Sequence, residues 1–478
     1  YGGNPLTVTG SVTNVNFTIT DPDYDADGLP DWWEIYWLGS TNYGGASDND
    51  SDGLTNTFEY TYNFNPTNAA DAVIDSDGDR FQNVYECFHS SDPTNRASVP
   101  SSNRYHHVSL AGSHVSPFTN WATAATNIQA AINVATNDYD IVMVADGTYT
   151  GTGNRGIDFA GKKIMVMSER GRQNCVIDCE NASPGFVFVY WSGYATLASV
   201  VDGFTIRNGN GGGYGEGGGI YIYGDSTPGP TIQNCLITSC TAPAGGGIVM
   251  GCADPVLVNC VIVSNTAYEG GAGGIYSYLG SPSVRNCTIA YNSGGGVYVF
   301  DNIFIQNCIL WGDADWEIYD EGYGGVAVEY SDIQGGWTNG TGIITNDPLF
   351  TTGWRLGPQS PCIDAGATNS VFADWEGDLR WDDPGHTNTV SHWDIGADEY
   401  RDSDGDGLED WRETSTGIYV NSTNTGSSPT DADSDDDGIA DGTEVSNRTD
   451  PNNSDTIPPN VTISFPTNNW QWTLIWTP

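Results

Sequence analysis

The sequence predicts a mainly β chain: a parallel β-helix in the middle, acidic loop repeats on either side of it, and a β-strand at each end. Three observations carry this reading. A unit of twenty-odd residues recurs from about residue 140 to 350, the mark of a stacked coil. Within that unit short apolar runs alternate with period two, and no helix-length apolar pattern intervenes. Five acidic twelve-residue stretches, all with the same order of side chains, lie in two groups around the coil.

In chain order, residues 1–20 alternate as a strand or hairpin (Leu6, Val8, Val12, Val15, Phe17, Ile19). Residues 21–98 hold three of the acidic stretches. The first carries Asp23, Asp25, Asp27, Asp31 and Glu34; the second Asp48, Asp50, Asp52, Asn56 and Glu59; the third Asp75, Asp77, Asp79, Asn83 and Glu86. Oxygen side chains thus stand at loop positions 1, 3, 5 and 9, and a Glu closes each loop. A hard cation collecting six to eight oxygens needs this ligand order, with the final Glu giving both of its own, so each stretch reads as a calcium loop. A disordered acidic linker would not place Gly at the sixth position, as four of the five stretches do, nor close every stretch with Glu. The third departs from the pattern with Arg80 at that position.

Residues 104–400 form the coil and its caps. An Asn-Cys unit recurs at Asn234-Cys235, Asn259-Cys260, Asn286-Cys287 and Asn307-Cys308, each flanked by apolar residues and read as one strand of the turn. Gly runs at 217–219, 245–247, 273–274 and 294–296, each followed by Ile or Val, supply the other half. Stacked turns place like residues above one another, so an Asn ladder is expected to hydrogen-bond to itself. Glycine suits the sharp bends between strands. Residues 126–137 read as one amphipathic helix covering the open first turn, since an uncovered sheet edge invites aggregation. Residues 401–455 bring two more calcium loops: Asp402, Asp404, Asp406, Asp410 and Glu413, then Asp433, Asp435, Asp437, Asp441 and Glu444. Residues 456–478 read as a Pro-containing linker and a strand rich in Trp.

The coil resembles the pectin-lyase-like β-helix superfamily. The residues that carry this are Thr148-Tyr149 after Val142–Gly147, and Gly203–Gly209. That resemblance implies a right-handed turn. Ser360–Gly366, then Asp374, Gly377 and Arg380, then Asp394–Tyr400, are similar to the terminal signature of bacterial surface β-helix proteins of the kind called choice-of-anchor Q. The flanking loops resemble thrombospondin type 3 or dockerin-like calcium repeats. These likenesses imply about five Ca2+ ions and a place on a cell surface.

Charge narrows the partners. With 61 acidic and 15 basic residues the net charge is −46, and about half of the acidic residues fall within 21–86 and 402–455. Lysine occurs only at Lys162 and Lys163. Such a surface repels nucleic acid and anionic membranes. No transmembrane run or signal peptide is visible, and the start at Tyr1 reads as a piece of a longer secreted protein. Several calcium loops and ten Cys fit an extracellular compartment.

No hydrolase or lyase motif is recognisable. Asp313, Asp315, Glu317, Asp320 and Glu321, beside Trp311 and Trp316, form the one acidic-aromatic cluster of the coil. A solvated loop is the plain reading of such a run, a sugar or extra metal site the sharper one. His106 and His107 read as surface or cap histidines, and the Cys ladder as inward-facing small apolar groups. The expected function is therefore an extracellular structural or adhesive segment of a surface filament, joined head to tail through strands 5–20 and 460–476. A polysaccharide-active enzyme on the coil, or a glycan-binding module, is the alternative.

Overall fold

A computed structural model describes residues 22–190, 199–212, 217–224, 229–383, 386 and 390–454. The strands expected within 1–20 and 456–478 lie outside the described residues. By compactness the chain divides into two units: residues 1–76 with 81–100, and residues 77–80 with 101–478.

The first unit is built from short helices that begin where each acidic loop ends. They are α1 (Asp31–Trp37), α2 (Asn56–Tyr62) and α3 (Asn83–His89). The ninth loop residue opens each helix and the closing Glu falls in its first turn, where the N-terminal end of the helix dipole favours a carboxylate. Thr55 caps α2 by accepting from Phe58 N–H at 3.3 Å. Leu29, Trp33, Leu54, Val84 and Tyr85 fill a small interior. Trp33 packs edge-on against Tyr60 with centroids 5.8 Å apart, whereas Trp32 and Tyr36 face solvent.

The second unit is dominated by three parallel sheets of nine, seven and eight strands among the described residues. Each complete turn gives one strand to each sheet, and its strands pair only with the turns before and after it. Register is strict. Ile232 stands beside Leu257, then Val284, then Ile305 and Val328 in one sheet. Ile237, Ile262, Ile289, Leu310 and Ile333 align in another, and Ile220, Ile248, Ile275 and Val297 in the third. These columns face inward and are almost fully buried, forming one continuous core. Helix α4 (Ile128–Val134), capped by Asn127, lays Ile128, Ala131 and Ile132 over the first turn, as expected of the 126–137 segment. No helix among the described residues is long and apolar enough to cross a membrane.

The Asn-Cys unit is a corner, not a strand. Asn234, Asn259, Asn286 and Asn307 sit at φ between +49° and +55°, joining a strand of the nine-stranded sheet to one of the eight-stranded sheet. Asn tolerates this left-handed geometry better than most residues. The Cys that follows turns inward and is fully buried, and all ten cysteines are free thiols. The Gly runs form the opposite corner, where successive backbones nearly touch. A Cβ on Gly218 would stand 2.2 Å from the Gly246 carbonyl oxygen, and one on Gly273 2.4 Å from that of Ser293.

The corner asparagines link to each other once, Asn259 Nδ2 to Asn234 Oδ1 at 3.2 Å. Asn234 Nδ2 donates to Asp202, and the other three hold the closing segment, residues 360–400, against the coil. Asn307 exchanges two bonds with the Ala367 backbone, Asn259 Nδ2 donates to the Ala373 carbonyl, and Asn369 Nδ2 donates to Asn286 Oδ1. The self-bonded ladder lies elsewhere. Asn265 donates to Asn292 Oδ1 from both its backbone N–H and Nδ2, and Asn292 donates in the same way to Asp313 Oδ1.

Candidate metal centres

Four of the five loops share one pattern of internal bonds. The first Asp accepts from the N–H of the sixth residue: Gly28 to Asp23, Gly53 to Asp48, Gly407 to Asp402 and Gly438 to Asp433, at 2.8–3.1 Å. The fifth-position Asp uses Oδ1 to accept from the seventh residue: Leu29 to Asp27, Leu54 to Asp52, Leu408 to Asp406 and Ile439 to Asp437, at 2.7–2.9 Å. In three loops the ninth-position Asp accepts from the second residue: Tyr24 to Asp31, Ser403 to Asp410 and Ser434 to Asp441. The backbone thus fixes both oxygens of the first Asp and Oδ1 of the fifth, and leaves Oδ2 of Asp27, Asp52 and Asp437 turned inward without a donor.

The loop carboxylates converge. Ligand atoms of Asp23, Asp25 and Asp27 lie within 4.8 Å of one another, as do those of Asp25, Asp31 and Glu34, of Asp48, Asp50 and Asp52, and of Asp402, Asp404 and Asp406. Several of the loop carboxylate oxygens lack hydrogen-bond partners. Both oxygens of Glu34, Glu59 and Asp50, and Oδ2 of Asp27, Asp52, Asp404, Asp435 and Asp437, are buried with no donor. Glu34 and Glu59 are fully buried. A buried carboxylate without donor or counter-charge is costly. Burial first, then the neighbouring aspartates, push Glu34 up to about 7 and Glu59 up to about 9. Burial and Asp404 push Glu413 up to about 8. A calcium ion would remove this conflict: its oxygen preference matches the donor set, and its charge would offset the crowding.

In the third loop Asn83 and Glu86 are fully buried. Its departure at position six does not change the bend: Arg80 has φ +84°, beside +98°, +101°, +89° and +92° for Gly28, Gly53, Gly407 and Gly438. In the fourth loop a 3-10 turn at Asp410–Arg412 replaces the helix, and Ser427 Oγ donates to Glu413 Oε1 at 3.1 Å. The fifth opens α5 (Asp441–Asn447), whose Gly442 N–H donates to Asp406 Oδ2 of the fourth at 2.6 Å.

One acidic residue close to these sites stands outside the twelve-residue pattern. Asp71, four residues ahead of the third loop, is buried and faces the second loop. Its signal in the sequence is faint: an Asp six residues after Asn65, outside any loop register.

The acidic-aromatic cluster at 313–321 is only partly the solvated loop that its sequence suggests. Asp315, Asp320 and Glu321 are exposed, but Glu317 is 8% exposed and its carboxyl contacts that of Asp313. Glu317 Oε1 accepts from Asp313 N–H at 3.2 Å, and Asp313 ends the inner Asn ladder. Burial and mutual repulsion push Glu317 up to about 9, so the pair shares a proton. Two carboxyls in contact leave no room for a glycosidic bond between them. On the outer face nearby, Tyr298 stacks with Tyr276 at 4.6 Å and with Tyr319 at 5.3 Å, and Trp316 lies 5.5 Å from Tyr319.

A cavity of about 310 Å³ is lined by Arg172, Arg355, Trp375, Glu376 and Trp411. Its cations are engaged: Glu376 accepts from Arg172 Nη2 at 2.8 Å and from Arg355 Nε at 3.1 Å. Arg172 also lies 3.0 Å above the Trp375 ring and Arg355 4.1 Å above Trp411. These contacts hold the closing segment to the coil. His106 and His107 lie on the first strand of the nine-stranded sheet, bonded to the Pro117 and Phe118 carbonyls.

No curated protein matches the chain. Among solved structures the chain is similar to the crystal structure of pectate lyase Pel9A, at 16% identity and a TM-score of 0.38, over 63% of this chain and 97% of that one. The model of the right-handed β-helix region matches residues 101–302 and 188–347, together more than half of the 478 residues. With three parallel sheets wound in register over the same residues, the chain belongs to the right-handed β-helix region family.

Proposed function

We propose that this chain is an extracellular, calcium-braced structural or adhesive protein, a segment of a bacterial cell-surface or matrix filament. The observation that carries the calcium part is the set of fully buried, donorless carboxylates of Glu34 and Glu59 aimed into their loops. About five Ca2+ ions would be held by the predicted ligands, with flanking repeats of thrombospondin type 3 or dockerin-like character. Short helices over so small an interior gain their order from the ions, as metal-dependent modules do. The mechanical part is supported by the uninterrupted core of the coil and by the absence of a spaced carboxylate pair at 313–317. Head-to-tail joining through 5–20 and 460–476, residues outside those described, completes the reading.

Calorimetric titration of calcium-free protein is expected to count about five ions. Electron microscopy with and without chelator then tests the brace, and rods that stay end-joined and straight without calcium would refute it. A second reading, glycan binding, is favoured by the aromatic row Tyr276, Tyr298, Tyr319 and Trp316. Incubation with acidic polysaccharides separates the cases. New unsaturated ends mark a lyase; retention without cleavage marks a binding surface.

A further inference from the structure

We propose that Asp71 is an additional ligand of the cation in the second loop, delivered by the segment that leads into the third. The inference rests on the calcium reading of the loops and adds a residue that their twelve-residue pattern does not contain.

Asp71 is 7% exposed. Its Oδ2 accepts from Asn65 N–H at 3.0 Å, which fixes the carboxylate, while Oδ1 is buried and has no partner. The side chain contacts that of Asp52, whose Oδ2 is also buried and unpartnered, and its charge acts on Asp50 and Glu59. Two ionised carboxylate oxygens cannot hydrogen-bond to each other. They come together only around a proton or a cation. Here the fully buried, unpartnered carboxylate of Glu59 and both oxygens of Asp50 face the same space, a donor set suited to a large divalent ion.

The preceding repeat supplies an internal control. Asn56 N donates to Ser47 O and Thr57 N to Gly45 O; in the same way Asn83 N donates to Ile74 O and Val84 N to Ala72 O. Asn56 Nδ2 donates to Gly44 O just as Asn83 Nδ2 donates to Asp71 O. Gly44 therefore occupies, beside the first loop, the place that Asp71 occupies beside the second. A Cβ built on Gly44 lies 3.9 Å from Asp27 Oδ2, the counterpart of Asp52 Oδ2. The position points at the site in both repeats, and only the second repeat fills it with a carboxylate. The second ion thereby ties residues 65–71 to its own loop, and through Asn83 reaches the start of α3.

The test is calcium titration of the full chain by calorimetry, comparing the parent with Asp71→Asn and Gly44→Asp, each checked for an unchanged circular dichroism spectrum in excess calcium. Asp71→Asn aims an amide where an oxygen stood and is expected to weaken one ion at least about tenfold, since affinity follows ligand charge. Gly44→Asp is expected to tighten a different ion. If the parent binds calcium and neither variant shifts any site, Asp71 is not a ligand, although the loops are calcium sites. If the parent binds no calcium, both this assignment and the calcium reading fall.

Discussion

Arg80 Nε donates to Asp202 Oδ2 at 2.8 Å from a residue whose backbone is held at φ +84°. Asp202 is fully buried, and Asn234 Nδ2 donates to its other oxygen at 2.8 Å. The left-handed geometry costs a non-glycine residue about 1–2 kcal/mol, whereas removing one partner of a buried pair costs roughly 3–5 kcal/mol. Arg80→Gly is therefore expected to destabilise the protein by about 2 kcal/mol in saturating calcium, despite relieving the backbone. Adding Asp202→Asn should recover part of that loss, and a double-mutant cycle by urea denaturation measures the coupling.

Removal of the ions should act on the loops before the coil. Each site that binds folded protein alone adds about 2.7 kcal/mol when free calcium is a hundred times its dissociation constant. Chelator is expected to lower the first thermal transition and to open amide exchange in α1–α3 while the inward columns at Ile237, Ile262 and Ile289 stay protected. Hydrogen exchange read by mass spectrometry distinguishes this from a single global transition. Glu59→Gln should reproduce the local effect, with one ion lost or weakened.

The Asp313–Glu317 pair predicts a pH dependence. Folding raises Asp313 to about 6 and Glu317 to about 9, mainly through burial. Below their unfolded values near 4 both groups are protonated in both states, and the stability that they contribute is fully present. As pH rises from there toward about 9 the unfolded chain gives up protons that the native pair retains, so stability falls. Glu317→Gln removes the titrating group of higher pKa. Its melting temperature should exceed that of the parent at pH 8 and lose that advantage at pH 4, with calcium held in excess throughout.

Asn292 sits in the middle of the inner ladder, accepting two bonds from Asn265 and donating to Ile262 O and Asp313 Oδ1. Asn292→Ala leaves several buried groups unpaired at once. A loss of about 3 kcal/mol is expected, measured by urea denaturation. Asn307→Ala at the outer corner should cost less and loosen the closing segment, visible as faster exchange at Ala367.

The coil was legible because stacking repeats the same demand every turn. Inward columns require apolar residues at fixed spacing, and the Gly corners require a missing side chain, so both leave a period in the sequence. The role of the Asn-Cys unit was less legible. Two strands meeting at a left-handed Asn read as one apolar run when their sheet assignment is unknown. The clustering of carboxylates within each loop was readable from local spacing, because backbone bonds to the first and fifth Asp dictate that spacing. The approach of Asp71 to the second loop was not, since it reaches its neighbours through space and not through loop register. Nor was the burial of Glu317: an acidic run normally signals solvent, and only the end of an internal amide ladder explains a carboxyl there.

The strict register between Ile248 and Ile275, Leu257 and Val284, and Ile262 and Ile289 makes this step one whole turn of 27 residues, whose strands pair only with the turns before and after it. A gene encoding such a coil can lengthen or shorten by complete modules without redesigning the rest, because the new contacts copy the old ones. Coil length is then an evolvable quantity set by copy number, while the end pieces stay unchanged.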